Sequence, residues 1–146
     1  MANIVSCVQC GARNRLSAGG ATEIPQCGRC GAALPWIVNA GDASFDQEAD
    51  VPVPALVDLW APWCGPCRAV APVLEDLSRE LAGRLKVIKI NVDDNPRLAA
   101  RFEARSIPTL VLFQGGEVRE RVIGAQPKAK LRSLVDAYIP SEDKTA

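Results

Sequence analysis

The sequence from Ala55 to Leu81 reads ALVDLWAPWCGPCRAVAPVLEDLSREL and contains the pattern that decides the fold. Its opening run, ALVDLWA, is apolar apart from one carboxylate, which predicts a strand buried on both faces. After the two cysteines, apolar residues recur at three- and four-residue steps, which predicts a helix from roughly Gly65 to Leu81 that Pro72 kinks. The Cys-x-x-Cys pair of Cys64 and Cys67 therefore stands where a buried strand passes into a helix.

Strands and helices alternate on both sides of this unit. Upstream, WIVN (36–39) predicts a first strand, and DASFDQE (42–48) predicts a short helix with Asp42 as its cap. Downstream, Gly83 ends the long helix, and the remaining segments predict a strand, a short helix, a hairpin that turns at Gln114-Gly115-Gly116 and a last helix that starts near Pro127. The order β-α-β-α-β-α-β-β-α predicts an α/β fold with a mixed central sheet flanked by helices.

Composition and charge restrict the class of protein. The chain has 146 residues, which suits one domain of about a hundred residues with a small appendage. Its 17 Lys and Arg balance 17 Asp and Glu, so no basic field indicates nucleic acid or an anionic membrane. We see no basic-then-apolar leader and no run of about eighteen apolar residues, and we therefore expect a cytoplasmic protein without a secretory signal or a membrane span.

Residues 1–34 differ from the rest, because they hold four of the six cysteines and few large apolar side chains. The spacing C-x2-C-x16-C-x2-C lies in the range of four-thiolate zinc sites, and a reducing compartment favours metal over the alternatives of two disulfides or a second dithiol centre. Gly11 and Gly31 follow the pairs and can adopt positive φ, which lets backbone amides face the sulfurs. We predict one structural zinc ion, held by Cys7, Cys10, Cys27 and Cys30.

The pair Cys64 and Cys67 has different surroundings. Pro66 fixes φ in the first helical turn, and the positive end of the helix favours a thiolate at Cys64. The chain contains no histidine and no further cysteine pair that could complete a metal shell here. This pair is therefore predicted to be a reversible dithiol/disulfide, with buried structural cysteines as the alternative. We expect Cys64 to be the more exposed sulfur and the nucleophile, and Cys67 to resolve the mixed disulfide.

Three segments resemble a known family. VDLWAPWCGPCR (57–68) is similar to the active-site sequence of thioredoxins, and SIPTLVLF (106–113) to the segment where that family carries a cis-proline, here Pro108. Gly124 matches the glycine that follows the family's hairpin. The resemblance spans roughly residues 36–140, and with the four-cysteine segment the chain is most similar to the zinc-containing second thioredoxin of bacteria. Pro62 and Arg68 depart from the commoner pattern, and the cation at position 68 is retained.

The resemblance implies a thioredoxin fold over residues 35–146 behind a zinc-binding ribbon over residues 1–34. It implies reduction of disulfides in cytosolic proteins, recycling by thioredoxin reductase and no organic cofactor. It favours proton acceptance from Cys67 by Asp58, which could otherwise be an accident at a strand edge. Lys89 resembles the lysine that the family places near this aspartate, or is a strand-end lysine that reaches water.

An apolar docking surface is expected around the cysteines, suited to an extended substrate segment that bonds through its backbone. Trp60, by contrast, is expected to serve packing alone. The expected substrate-binding residues are Trp63, Gly65, Pro66, Ile107, Pro108 and Gly124.

Two other functions compete with a general protein-disulfide reductase. An oxidant or isomerase is disfavoured by Gly-Pro between the cysteines and by the expected compartment. A redox-regulated, zinc-dependent adaptor or holdase would use the cysteines as sensors of oxidant. Nucleic-acid binding is disfavoured because Arg13, Arg15 and Arg29 are the only cations of the ribbon and are not interleaved with aromatic residues. We expect a monomer.

Overall fold

The computed structural model describes residues 3–16 and 23–139. The predicted ribbon (1–34) and redox domain (35–146) therefore include residues 1–2, 17–22 and 140–146, which lie outside the described part. The elements in chain order are β1 (Asn3–Ser6), β2 (Arg13–Leu16), β3 (Ile37–Asn39), α1 (Phe45–Ala49), β4 (Ala55–Trp60), α2 (Gly65–Glu80), β5 (Lys86–Asn91), α3 (Pro96–Arg101), β6 (Thr109–Gln114), β7 (Glu117–Ile123) and α4 (Lys128–Asp136).

A five-stranded mixed sheet has the order β3-β5-β4-β6-β7. Strands β3, β5 and β4 are parallel, whereas β6 and β7 run antiparallel to their neighbours. Strand β4 is central and buried over nearly its whole length, as its apolar run predicts. The turn between β6 and β7 has positive φ at Gly115 and Gly116, which matches the predicted hairpin. The predicted α/β class and mixed sheet are confirmed.

Each face of the sheet carries one core cluster and two helices. On one face, Phe45 of α1 and Leu98 of α3 pack with Val57 and Ile88 of the sheet. On the other face, α2 and α4 cover a second set of sheet residues. This layering explains why every residue of β4 other than Asp58 is apolar, since alternate side chains enter different cores. None of the described helices combines the length and apolarity that crossing a bilayer requires.

Helix α2 begins directly after Cys64, which is its N-cap residue. The helix continues through Pro72 to Glu80, and the kink expected at this proline stays a prediction. The helix therefore ends three residues before Gly83, the predicted stop, which has φ of +86°.

The prediction that Asp42 caps α1 is wrong. Ser44 is the N-cap residue of α1, and it makes no side-chain capping bond. The carboxylate of Asp42 instead accepts the amide N–H groups of Arg97 (3.3 Å) and Leu98 (2.9 Å) at the start of α3. The N-cap residue of α3, Asn95, makes no side-chain capping bond, and its Oδ1 instead accepts the amide of Asp42 at 2.8 Å. Asp42 therefore caps a helix more than fifty residues downstream.

The segment that carries the four upstream cysteines packs against the rest of the chain. Strands β1 and β2 pair as an antiparallel hairpin. Two of its cysteines, Cys7 and Cys27, and the apolar Leu16 and Leu34 belong to the same buried cluster as Trp36. The segment therefore shares a core with the sheet, which its few apolar residues could not form alone.

Candidate functional site

The downstream cysteines lie where β4 gives way to α2. Cys64 and Cys67 are joined by a disulfide, and their Cα atoms are 5.3 Å apart. The amide of Cys67 donates a hydrogen bond to Cys64 Sγ at 3.1 Å. A helix N-terminal amide that points at a sulfur stabilises the thiolate over the thiol, so this geometry favours an acidic Cys64 in the reduced protein.

The two cysteines do not differ in exposure, contrary to the expectation that Cys64 is the more exposed. The exposed fraction is 4% for Cys64 and 3% for Cys67, so both residues are buried in the disulfide form. What differs is position, because Cys64 caps the helix and receives an amide, whereas Cys67 lies one turn inside. Cys64 and Cys67 form a small buried cluster with Ala61. Three partly buried apolar residues pack against this cluster: Trp60, Val92 and Ile107.

The segment before β6 approaches the disulfide from the other side. The Ile107–Pro108 peptide bond is cis, as the resemblance implied. The carbonyl oxygen of Ile107 lies 3.7 Å from Cys64 Sγ, and the amide of Gly124 donates to the carbonyl of Pro108 at 2.8 Å. Ile107 therefore lies beside Cys64, and a hydrogen bond connects Gly124 to the neighbouring Pro108. Gly65 and Pro66 are exposed in the first turn of α2.

Trp63 is the most exposed large apolar residue near the disulfide, with 66% of its surface accessible. Its indole Nε1 donates to Asp93 Oδ2 at 2.9 Å, which fixes one edge of the ring. Behind it, the guanidinium of Arg68 donates two hydrogen bonds to the carbonyl of Pro62, at 2.8 and 3.3 Å. Sequence reasoning missed Asp93, because nothing local marks a contact between residues thirty positions apart.

Asp58 lies in the central strand and is 1% exposed, so it is not a residue at a sheet edge. Neither carboxylate oxygen has a hydrogen-bond partner among the described residues. Burial raises the pKa of Asp58 to about 6, and the nearby charge of Lys89 partly opposes this shift. Lys89 is half-buried, and its ammonium lies over the indole of Trp60, 5.0 Å from the ring centre.

The four upstream cysteines converge on one point, as their spacing predicts. All four sulfurs lie within 4.8 Å of one another. Cys7 Sγ is 3.5 Å from Cys30 Sγ, and Cys10 Sγ is 3.6 Å from Cys27 Sγ. A tetrahedral zinc ion with Zn–S bonds of about 2.3 Å requires sulfurs about 3.8 Å apart. The donor set therefore fits a single zinc ion.

Backbone amides favour the thiolate form of Cys7 and Cys27. The amides of Gln9 and Arg29 donate to Cys7 and Cys27, at 3.4 Å in both cases. Hydrogen bonds from the amides of Cys30 and Arg29 lower the pKa of the Cys27 thiol to about 6, and a bond from the Cys10 amide lowers the pKa of Cys7. The pKa of Cys30 is raised to about 11, because the neighbouring sulfurs disfavour a further negative charge. Thiolates are the form that binds zinc, so Cys7 and Cys27 are the two sulfurs that are prepared for binding in the metal-free site.

Known proteins resemble the chain over its redox part. The sequence model of the family described as Thioredoxin matches residues 36–137. A thioredoxin from Synechocystis sp. is 50% identical over 102 residues, which cover 69% of this chain and 95% of that protein. A thioredoxin from Pyropia yezoensis is 54% identical over 99 residues, covering 67% and 92%. A solved mutant thioredoxin from Halobacterium salinarum has a TM-score of 0.66 at 36% identity, covering 73% of this chain and 94% of the other.

The matched region includes the disulfide, the cis-proline and Gly124, together with Asp58 and Lys89. The four upstream cysteines precede it. The likeness to known proteins therefore bears on the redox site, whereas the metal site depends on the geometry of the sulfurs.

Proposed function

The chain belongs to the thioredoxin family, and from this premise we propose that it reduces disulfides of cytosolic proteins through Cys64 and Cys67 and is recycled by thioredoxin reductase. Thioredoxins are protein-disulfide oxidoreductases. Relatives with about 50% sequence identity to this chain carry the name thioredoxin. The observation that carries the proposal is the placement of Cys64 Sγ at the start of α2, 3.1 Å from an amide that stabilises its thiolate.

In the first step, the thiolate of Cys64 attacks one sulfur of a substrate disulfide. A bond forms between Cys64 Sγ and that sulfur, and the other substrate sulfur leaves as a thiolate. The hydrogen bond from the Cys67 amide supports this role, since it favours the charged nucleophile at neutral pH.

In the second step, Cys67 loses its proton and its thiolate attacks Cys64 Sγ. The Cys64–Cys67 disulfide forms, and the second substrate sulfur leaves as a thiolate, so two electrons pass to the substrate. We assign the acceptance of the Cys67 proton to Asp58. Its burial and its pKa of about 6 support this role, because such a carboxylate takes up a proton near neutral pH more readily than an exposed one.

The substrate is proposed to dock as an extended segment across the apolar surface around Cys64. The exposed face of Trp63 and the carbonyl of Ile107, 3.7 Å from Cys64 Sγ, support this arrangement. The residues assigned to docking are Trp63, Gly65, Pro66, Ile107, Pro108 and Gly124.

We further propose that Cys7, Cys10, Cys27 and Cys30 hold one zinc ion, which would place the chain in the zinc-containing subgroup of bacterial thioredoxins. Bound zinc would join the two cysteine turns and, with four sulfurs around it, would leave no position open for a substrate. The fit of the sulfurs to a tetrahedral shell supports this assignment. We propose that the protein is a cytoplasmic monomer that acts without nucleic acid, membrane or organic cofactor.

One experiment separates this function from that of a zinc-dependent adaptor. Cys64→Ser should abolish reduction of a disulfide-bonded protein, whereas Cys30→Ser should lose zinc and keep most of the reductase activity. Metal analysis of the wild-type protein should give one zinc ion per chain. The proposal is wrong if Cys64→Ser retains activity, or if the upstream change alone abolishes it in a folded protein.

A further inference from the structure

The two cysteine turns of the ribbon are copies of one motif. The segments CVQCGARN (7–14) and CGRCGAAL (27–34) share the pattern C-x-x-C-G-A. In each turn, the amide of the first cysteine donates to the carbonyl of the alanine, at 2.9 Å and 2.7 Å. In each turn, the glycine amide donates to the carbonyl of the first cysteine at 2.9 Å, and the glycine has φ of +76° or +80°. The turns therefore agree in both sequence and backbone.

The copies diverge at the eighth position, which is Asn14 in one and Leu34 in the other. Leu34 is 2% exposed and joins the buried cluster that contains Trp36 and Phe45. Asn14 is only half-buried, and its side chain turns to the opposite cysteine turn. The two equivalent positions therefore have different roles. Leu34 packs the ribbon against the sheet, whereas Asn14 connects the two turns.

The amide of Asn14 makes three hydrogen bonds that span both turns. Nδ2 donates to the carbonyl of Ala12 at 3.1 Å and to Cys27 Sγ at 3.4 Å. Oδ1 accepts the amide of Gly28 at 3.0 Å. These partners fix the orientation of the side chain, because the carbonyl and the sulfur accept whereas the Gly28 amide can only donate. Asparagine meets both demands, and aspartate or leucine would not.

We propose that Asn14 is a positioning residue of the metal site, which orients Cys27 and locks the two turns together so that the ion is retained. The proposal rests on the assignment of the four sulfurs as zinc ligands. A donor to a metal-bound thiolate spreads its negative charge and fixes the direction of its lone pairs. Loss of such a partner typically weakens metal binding by about 10- to 100-fold.

The transfer of zinc from the loaded protein to a chromophoric chelator measures this effect. Asn14→Asp keeps the shape and the acceptor for Gly28, removes both donors and places a carboxylate beside Cys27. Asn14→Leu copies the equivalent residue of the second turn. We expect both variants to release zinc about 10- to 100-fold faster than wild type. Arg15→Ala, at an exposed neighbouring position of β2, is the matched control and should release zinc at the wild-type rate.

A second readout separates positioning of the sulfur from general loosening of the ribbon. Cobalt(II) in place of zinc gives sulfur-to-metal charge-transfer absorption, which we expect to shift in Asn14→Asp and not in Arg15→Ala. Zinc release is compared at a temperature where circular dichroism shows that every variant is folded. If Asn14→Leu does not fold, the comparison of Asn14→Asp with wild type tests the proposal. Wild-type release rates with an unchanged cobalt spectrum would overturn the proposal. A wild-type protein that binds neither ion would refute the metal site itself.

Discussion

Asp58 and Lys89 are direct partners in the parallel register of β4 and β5, yet the lysine does not neutralise the carboxylate by contact. The ammonium of Lys89 lies over the ring of Trp60, and both oxygens of Asp58 lack a hydrogen-bond partner in the described residues. Lys89 therefore acts on Asp58 only through space, and desolvation dominates. This balance leaves the pKa of Asp58 at about 6, above the ordinary value of 3.8.

The first prediction concerns stability and pH. Because the folded-state pKa of Asp58 is raised, this residue adds no ionisation penalty below about pH 4, destabilises the native protein progressively between about pH 4 and 6, and adds a constant penalty above that range. The shift corresponds to about 3 kcal/mol. Asp58→Asn should therefore be more stable than wild type by about 2–3 kcal/mol at pH 8, with little difference at pH 4. Urea unfolding of the oxidised proteins at both pH values measures this.

Asp94→Asn serves as the control for that experiment, because Asp94 is exposed. Its stability should stay close to that of wild type at both pH values. An Asp58→Asn variant whose advantage is the same at pH 4 and pH 8 would show that burial does not raise the pKa of Asp58.

The second prediction concerns the resolving step. Without the carboxylate, Cys67 must lose its proton to water, so the mixed disulfide between Cys64 and a substrate should persist. We expect Asp58→Asn to slow resolution by about 100-fold near pH 7. Mass spectrometry after an acid quench measures the accumulated complex, with Cys67→Ser as the variant that traps it fully. Equal, transient amounts of complex in wild type and Asp58→Asn would remove Asp58 from the mechanism.

The third prediction concerns a buried ion pair at the far end of the sheet from the disulfide. Lys86 Nζ donates to Glu48 Oε1 at 2.8 Å and to the Glu48 carbonyl at 2.7 Å, and it lies 4.5 Å from the ring centre of Trp36. Lys86→Met removes the hydrogen-bonded ammonium from a buried carboxylate and should destabilise the protein by about 3–5 kcal/mol. Replacing Glu48 by Met as well should recover most of this loss, as measured by urea unfolding.

Arg79→Ala is the comparison for the buried pair, because it breaks a surface ion pair with Asp76. That change should cost about 1 kcal/mol or less. If Lys86→Met is as mild as Arg79→Ala, the buried pair does not hold α1 and β5 together in the way that its geometry indicates.

The redox part of the fold could be predicted from the sequence because its signals are local. The apolar run of β4, the periodic stripe of α2 and the glycines after the turns each determine their own conformation. Likewise, the four upstream cysteines could be grouped from their spacing alone, because each pair forms a turn by itself.

Contacts between distant segments were beyond such reasoning. Asp42 precedes a helix and has the chemistry of a cap, but the amides it meets belong to α3. The sequence indicates a polar position of a short helix at Glu48. Its burial follows from its packing against Lys86, which is distant in the sequence. Asp93 and Asn14 acquire their partners in the same way, through the arrangement of strands that no local pattern specifies.

The fourth prediction concerns docking. Trp63 offers an exposed ring that Asp93 holds by a hydrogen bond of 2.9 Å. Trp63→Ala should raise KM for a disulfide-bonded protein by about tenfold, the equivalent of 1–2 kcal/mol of apolar contact. Asp93→Ala, which only frees the ring, should raise KM less. Neither change should alter the rate with a small disulfide, and an unchanged KM in Trp63→Ala would remove this residue from the docking surface.

The last prediction uses the different burial of the four upstream cysteines. Cys27 is buried in the core cluster shared with the sheet, whereas Cys30 is exposed. Cys27→Ser and Cys30→Ser should both lose zinc, since each removes one of four ligands. Cys27→Ser should also replace a buried sulfur of the core cluster by a smaller hydroxyl and so leave a packing defect, which makes its Tm several degrees lower than that of Cys30→Ser. Differential scanning calorimetry after chelation isolates this packing effect, and equal Tm values for the two metal-free variants would contradict the shared core.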